Sequence, residues 1–242
     1  MIIAVRIVKK LVMSDLDNTL LPIITQEEFV KIWFRDIAKK FYEHNIEQSR
    51  GLNAMNEGSR AMILNDGTML NAERFFGTAV PLSGCTREKL VEALTDYYAD
   101  TFANVRGICR ENPYAPEIAR LMRAHAEHAV IATMPMFPYE AAKTRMRWVG
   151  LDADSFDYVT SFDSCSYCKP NPGFYREILE RFKVEPKDAL MIGNDVREDM
   201  EPCEELGIET FLVTDHMITH GLDYSRFRRG TYPELIEFLK TV

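Results

Sequence analysis

The chain has 242 residues, 46% of them hydrophobic, enough to bury the core of one large domain or two modest ones. Its 37 Asp and Glu against 29 Lys and Arg give a formal net charge of -8 with no long basic run, which argues against sequence-independent binding to nucleic acid or to an anionic membrane. Five cysteines form no regular framework, and Cys165 and Cys168 make a lone CxxC without a second metal-ligand pair, so ordinary thiols in a reducing, cytoplasmic compartment are expected.

The opening run "MIIAVRIVKKLVMSD" is apolar, but Arg6, Lys9 and Lys10 interrupt it and no small-residue cleavage site follows. It reads as a strand rather than a signal peptide, and no other segment reaches membrane-spanning length. Its clearest part, "KKLVMSD" over 9–15, ends at two aspartates, Asp15 and Asp17, with one leucine between them. The pattern then turns helical. In "TQEEFVKIWFRDIAKKFYEHN", Phe29, Trp33, Ile37 and Phe41 recur four apart on one face, with Thr25 as a cap and Glu28 three residues later. Helical patterns follow at 54–64, 71–79 and 86–102 with no convincing strand, so residues 23–109 are expected to form an all-helical block. Trp33, Phe34, Phe75 and Phe76 are its candidates for a surface facing a ligand, with the core the expected place for Trp33. Residues 104–116, "NVRGICRENPYAP", have the Gly and Pro content of a return linker.

From residue 114 onward helix and strand alternate. "HAVIAT", "FDYVTS", "DALMIGN" and "IETFLVTD" read as strands buried on both faces, separated by helical composition at 138–149, 172–183 and 197–206. That order predicts an α/β fold, a doubly wound Rossmann-like parallel sheet built from residues 1–22 and 110–242, with the block 23–109 inserted after the first strand. Arg145 and Arg147 are read as lying on a helix that covers the sheet, outside any site. His125 and His128 are read as structural.

In an open parallel sheet, ligands bind beyond the carboxyl ends of the strands, where loops and helix amino-termini meet. The first strand presents Asp15 and Asp17 there, the second presents Thr133, and "GNDVRED" presents Asn194, Asp195 and Asp199. "CKPNP" supplies Lys169 just before a helix. Carboxylates converging from two strands repel unless they share a proton or gather round a cation, and a hard divalent ion such as Mg²⁺ suits oxygen ligands. With a lysine and a threonine hydroxyl beside them, these residues describe a site for a phosphoryl group.

"DLDNT" fits the Asp-x-Asp-x-Thr signature of the haloacid dehalogenase-like hydrolase superfamily, and Thr133, Lys169 and "GNDVRED" fall in order at that superfamily's second, third and fourth motif positions. The chain therefore resembles that superfamily along its whole length, with the helical block in the place of the cap that many members carry. "KPNP" and "GND" are wording it shares with bacterial phosphatase-like members. The resemblance implies that Asp15 is the nucleophile that forms an aspartyl-phosphate, and that Asp17 is the general acid and then the base. It also implies that Thr133 holds a phosphoryl oxygen and Lys169 balances charge. Mg²⁺ would be bound by the Asp15 carboxylate, the Asp17 main-chain carbonyl and either Asn194 or Asp195, with Asp199 completing the acidic set. The chain departs from the family pattern at Ser14, usually an aromatic, at Asn18, usually Gly, and at Met134, usually Asn. Asn194 stands where an Asp is usual.

The function so implied is a Mg²⁺-dependent phosphatase acting on a small phosphorylated metabolite. A phosphomutase would share Asp15 and Asp17. A dehalogenase would not need Asp17, and a phosphonate hydrolase would need a lysine in the helical block. Met134 and Asn194 motivate a different alternative, a metabolite-binding protein with impaired catalysis.

Overall fold

The computed structural model of the chain describes residues 9–242, so the expected strand and core contributions of residues 1–8 lie outside the described residues. β1 (Lys9–Ser14) has four consecutive buried residues, Leu11 to Ser14, which is why its sequence is a continuous apolar run rather than an alternating one. Leu11 and Met13 pack on one side of the sheet with Phe174, Tyr175 and Ile178, whereas Val12 packs on the other with Ile118 and Met122. β1 pairs with β2 (Ala126–Ile131) on one side and β4 (Ala189–Gly193) on the other. β3 (Tyr158–Val159), β5 (Glu209–Val213) and β6 (Arg229–Gly230) complete a six-stranded sheet in the order β3-β2-β1-β4-β5-β6, every pair parallel. The strand order reverses beside β1, and that is where such a sheet opens a crevice.

Among the described residues, five α-helices fall between β1 and β2; the first four form the inserted helical segment: α1 (Gln26–Glu43), α2 (Gln48–Ile63), α3 (Asn71–Ser83) and α4 (Arg87–Ala99). The Thr25 hydroxyl accepts from the Glu28 amide at 3.1 Å, the expected cap, and Trp33, Ile37 and Phe41 are buried along α1. α2 begins earlier than its pattern suggests because the Glu47 carboxylate caps it through the Ser49 and Arg50 amides. Its apolar stripe is also interrupted by Gly51, where a Cβ would overlap the Phe41 ring. Thr101–Ile108 is a 3₁₀ helix rather than a linker; its buried Phe102 and Val105 stand three apart, the 3₁₀ repeat. The chain leaves and rejoins the sheet region side by side, with the Ile24 amide donating to the Ile108 carbonyl and Arg110 to Pro22, both at 2.9 Å.

The sheet is covered by α5 (Ala115–His125), α6 (Tyr139–Trp148), α7 (Pro172–Phe182), α8 (Glu201–Leu206) and α9 (Tyr232–Leu239). β6 and α9 are additions to the expected order. Among the described residues no helix is long and apolar enough to cross a membrane.

Candidate active site

The site begins where β1 stops. The Asp15 amide donates to the Ile192 carbonyl on β4 at 2.9 Å, and the Ala132 amide, just past β2, donates to Ser14 at 2.7 Å. Asp15 is thereby placed in the notch between β2 and β4. The chain then folds back on itself, with the Leu16 carbonyl accepting from the Leu20 and Leu21 amides at 2.8 Å. Asn18 takes a left-handed backbone there, φ 62°, a conformation Gly and Asn tolerate best, and its side-chain oxygen accepts from the Ile23 amide at 2.9 Å. Asn therefore serves where the family pattern has Gly. This turn returns the Thr19 hydroxyl to Asp15, 3.0 Å from Oδ2 and 2.9 Å from Asn194 Oδ1.

Lys169 is almost fully buried, with Nζ 2.8 Å from Asp15 Oδ1 and 2.6 Å from Asp199 Oδ1. Burial alone would lower its pKa, but the charges and hydrogen bonds of Asp15 and Asp199 outweigh that and raise it, so the ammonium stays charged. Asp199 also accepts from the Asn194 and Asp195 amides at 3.1 Å. Its carboxylate lies over Gly193, where any Cβ would overlap it. Burial raises the Asp199 carboxyl; Lys169 opposes the rise, and the Asp15 charge adds to it. The Thr133 hydroxyl is buried and has no hydrogen-bond partner among the described residues, while its main-chain oxygen accepts from the Thr160 hydroxyl at 2.6 Å.

Asp17 corrects the expectation for Arg145. Arg145 is on α6, 1% exposed, and its guanidinium donates through Nη1 to Asp17 Oδ2, with its plane near the Phe137 ring, 5.0 Å from the centroid. Burial raises the Asp17 carboxyl, Arg145 pulls it down and Asp15 pushes it up, with a net rise. The other oxygen, Oδ1, has no hydrogen-bond partner among the described residues. A sequence signal for Arg145 exists: it falls on the buried stripe Ala141, Ala142, Arg145, Met146, Val149, and a charge in such a stripe requires a buried counter-charge.

The structure thus brings Asp15, Asp17, Asn194, Asp195 and Asp199 around one cavity of about 370 Å³. Lys169 joins it through its bond to Asp15. Asp195 has a different task from Asn194: its Oδ1 accepts from the Arg197 and Glu198 amides at 2.9 Å, and its Oδ2 is 2.7 Å from His220 Nε2. Thr19 and His220, both unassigned from the sequence, are therefore part of the site. The "DLDNT" threonine was the available signal for Thr19; nothing local marks His220.

Among the described residues no three His, Cys, Asp or Glu side chains form a metal cage. The residues nevertheless fit Mg²⁺, which keeps several waters and needs only one or two carboxylates beside the phosphate it serves. Asp15 Oδ2 and Asn194 Oδ1 converge on a Thr19 hydroxyl that has one proton to donate, so an oxygen acceptor is left over for a hard cation.

A family model described as haloacid dehalogenase-like hydrolase matches residues 9–207. The glyceraldehyde 3-phosphate phosphatase of Methanocaldococcus jannaschii is 22% identical over 235 residues, 96% of this chain and 97% of that protein. The protein of the same name from Methanothermobacter thermautotrophicus is 32% identical over 76 residues, 28% of this chain and about a third (34%) of that relative's length. Among solved structures, the 2-haloacid dehalogenase of Pseudomonas syringae superposes with a TM-score of 0.61 over 95% of this chain and 99% of that one, at 16% identity, a likeness of fold. With the β1-end aspartates, the buried Lys169 and the family match over residues 9–207 in agreement, the chain belongs to the haloacid dehalogenase-like hydrolase family.

Proposed function

We propose that the protein is a Mg²⁺-dependent phosphatase that hydrolyses a small phosphate monoester through an aspartyl-phosphate on Asp15. The observation that carries this reading is the buried Lys169, which holds the Asp15 carboxylate at the end of β1. An Asp15 oxygen attacks phosphorus and the bond from phosphorus to the alcohol oxygen breaks. Asp17, held by Arg145, gives its proton to the departing alcohol through Oδ1. It then takes a proton from the water that attacks the aspartyl-phosphate, releasing inorganic phosphate and restoring Asp15. Lys169 and the Thr133 hydroxyl bind phosphoryl oxygens.

Asp15, the Asp17 main-chain carbonyl and Asn194 would hold Mg²⁺, which supplies charge neutralisation to the phosphoryl group when bound. Asn194 is preferred to Asp195 because the Asp195 oxygens are committed to backbone amides and His220. Residues 23–109 act as a cap on a core of 1–22 and 110–242, with the paired segments around Ile24 and Ile108 as the hinge. Phe29, Val30 and Ile63 of that helical segment line the carboxylate cavity, which favours a small metabolite over a phosphoprotein. The five free thiols suit a reducing, cytoplasmic setting.

The test is phosphate release from a panel of phosphorylated metabolites with and without Mg²⁺, for the wild type and Asp15→Asn. Release that needs Mg²⁺ and falls by about a thousandfold or more in the variant is expected. Equal release from both proteins would sink the reading.

A further inference from the structure

The carboxylate cavity does not end at the acidic residues. Phe29, Val30, Met136 and Phe137 line it and also line a second cavity of about 200 Å³ between the helical segment and the sheet. The walls of this second cavity include Trp33, Phe34, Met55, Phe75, Leu94 and Phe162. Its polar lining is Asn56, Ser59 and Tyr98, and among the described residues no Lys, Arg, His, Asp or Glu borders it. Trp33, expected to be simple core, is both buried and a wall of this space. Trp33 and Phe34 meet edge to face with centroids 4.9 Å apart, and Phe75 lies 6.2 Å from Phe162, so the walls present both ring faces and ring edges.

Two leaving-group classes are excluded by this lining. A second phosphate or a carboxylate would enter with no cation to meet it. A polyol would bring several hydroxyls into a space with few partners, and each hydroxyl left unpaired costs about 1–3 kcal/mol. A single aromatic ring suits the size, since a cavity on the order of 150 Å³ with apolar walls accommodates benzene. Resting on the phosphatase reading, we propose that the substrate is an uncharged aromatic alcohol esterified with phosphate, its ring in the Trp33–Phe75 cavity and its phosphoryl group at Asp15.

The test uses two phosphonates that cannot be hydrolysed, so that the binding ratio is read separately from turnover. Dissociation constants of benzylphosphonate and methylphosphonate are measured by calorimetry on the wild-type protein with Mg²⁺. Benzylphosphonate is expected to bind about 10- to 100-fold more tightly, the effect of burying one ring. Ser59→Phe, a half-buried position on the cavity wall, fills the space and is expected to bring the ratio to within about threefold of unity by weakening benzylphosphonate, with the methylphosphonate dissociation constant little changed. A wild-type ratio within about threefold of unity, or no binding of benzylphosphonate, overturns the proposal, and the wild-type ratio decides even where the variant does not fold. Failure of the phosphatase reading shows separately, as absence of phosphate release from every monoester tried.

Discussion

Asp17 owes its position to a residue 128 positions away in the chain, and Arg145 illustrates what sequence reading can and cannot reach. Asp15, Asp17, Thr133 and Lys169 were legible because each stands at a strand end or before a helix, where the fold class alone directs side chains to one edge. Arg145 was missed because a helix that covers a sheet is expected to turn its charges outward. Here the arginine lies in the buried stripe and reaches over the sheet edge. Arg145→Met is expected to lower kcat about 10- to 100-fold by releasing Asp17, with KM little changed because Thr133 and Lys169 are untouched. Arg145→Lys should recover part of the loss. Unchanged kcat in the Met variant would show that Asp17 needs no clamp. The same substitution leaves Asp17 without its counter-charge, and urea titration should show a loss of up to about 3 kcal/mol, limited because 27% of the Asp17 side-chain surface is open to the cavity. Glu198 offers a pH test. Burial, against the opposing Lys169 and with the charges of Asp199, Asp195 and Asp15 adding to it, pushes its carboxyl up to about 7 from an ordinary 4.5. A carboxyl raised on folding is neutral in both states at low pH, so stability is lost as pH rises from the unfolded value through about 7 and is level above it. Glu198→Gln removes that cost. In metal-free urea titrations it should stabilise the protein by about 1–3 kcal/mol near pH 8 and by little near pH 4.5. A stabilisation equal at both pH values would contradict this origin.

At the level of elements, the strands that were legible lie in runs with several buried residues in a row, such as β1 and β4, and β3, whose two paired residues lead into the buried run Val159–Phe162. β6 is an exposed Arg and a Gly with no apolar run around them, and the 3₁₀ helix Thr101–Ile108 repeats every three residues, which a search at the α-helical period passes over. The turn after β4 is where element geometry and chemistry meet. β4 delivers Gly193 beneath Asp199, and the wide turn Val196–Met200 that follows brings the Asp199 carboxylate back onto the Asn194 and Asp195 amides and Lys169. Gly193→Ala would push Asp199 off Lys169. It is expected to cost about 1–3 kcal/mol by urea titration and to lower phosphate release together with it. Full activity at unchanged stability would mean that the turn can shift freely, against the packing described.

For the molecule as a whole, the alternation of strands and helices after residue 114 was enough to expect a parallel sheet, and the acidic strand ends pointed to the edge where Asp15, Asp17 and Asn194 line one cavity. The direction in which the helical segment faces was not legible, because Phe29 and Trp33 share one helical stripe yet Phe29 borders the carboxylate cavity while Trp33 borders only the aromatic one. That distinction depends on how α1 packs across the sheet, a tertiary fact with no local signature. Removal of divalent ions by chelation should abolish phosphate release, and added Mg²⁺ should restore it, as an oxygen set with one carboxylate, one amide and one carbonyl requires. The most direct test of the aspartyl-phosphate mechanism is rapid acid quench during turnover followed by peptide mass spectrometry. One phosphoryl increment on the peptide that contains Asp15, absent from Asp15→Asn, is the expected result; a phosphoryl group mapped to any other residue, or phosphate release that continues in Asp15→Asn with no phosphorylated peptide, would contradict it.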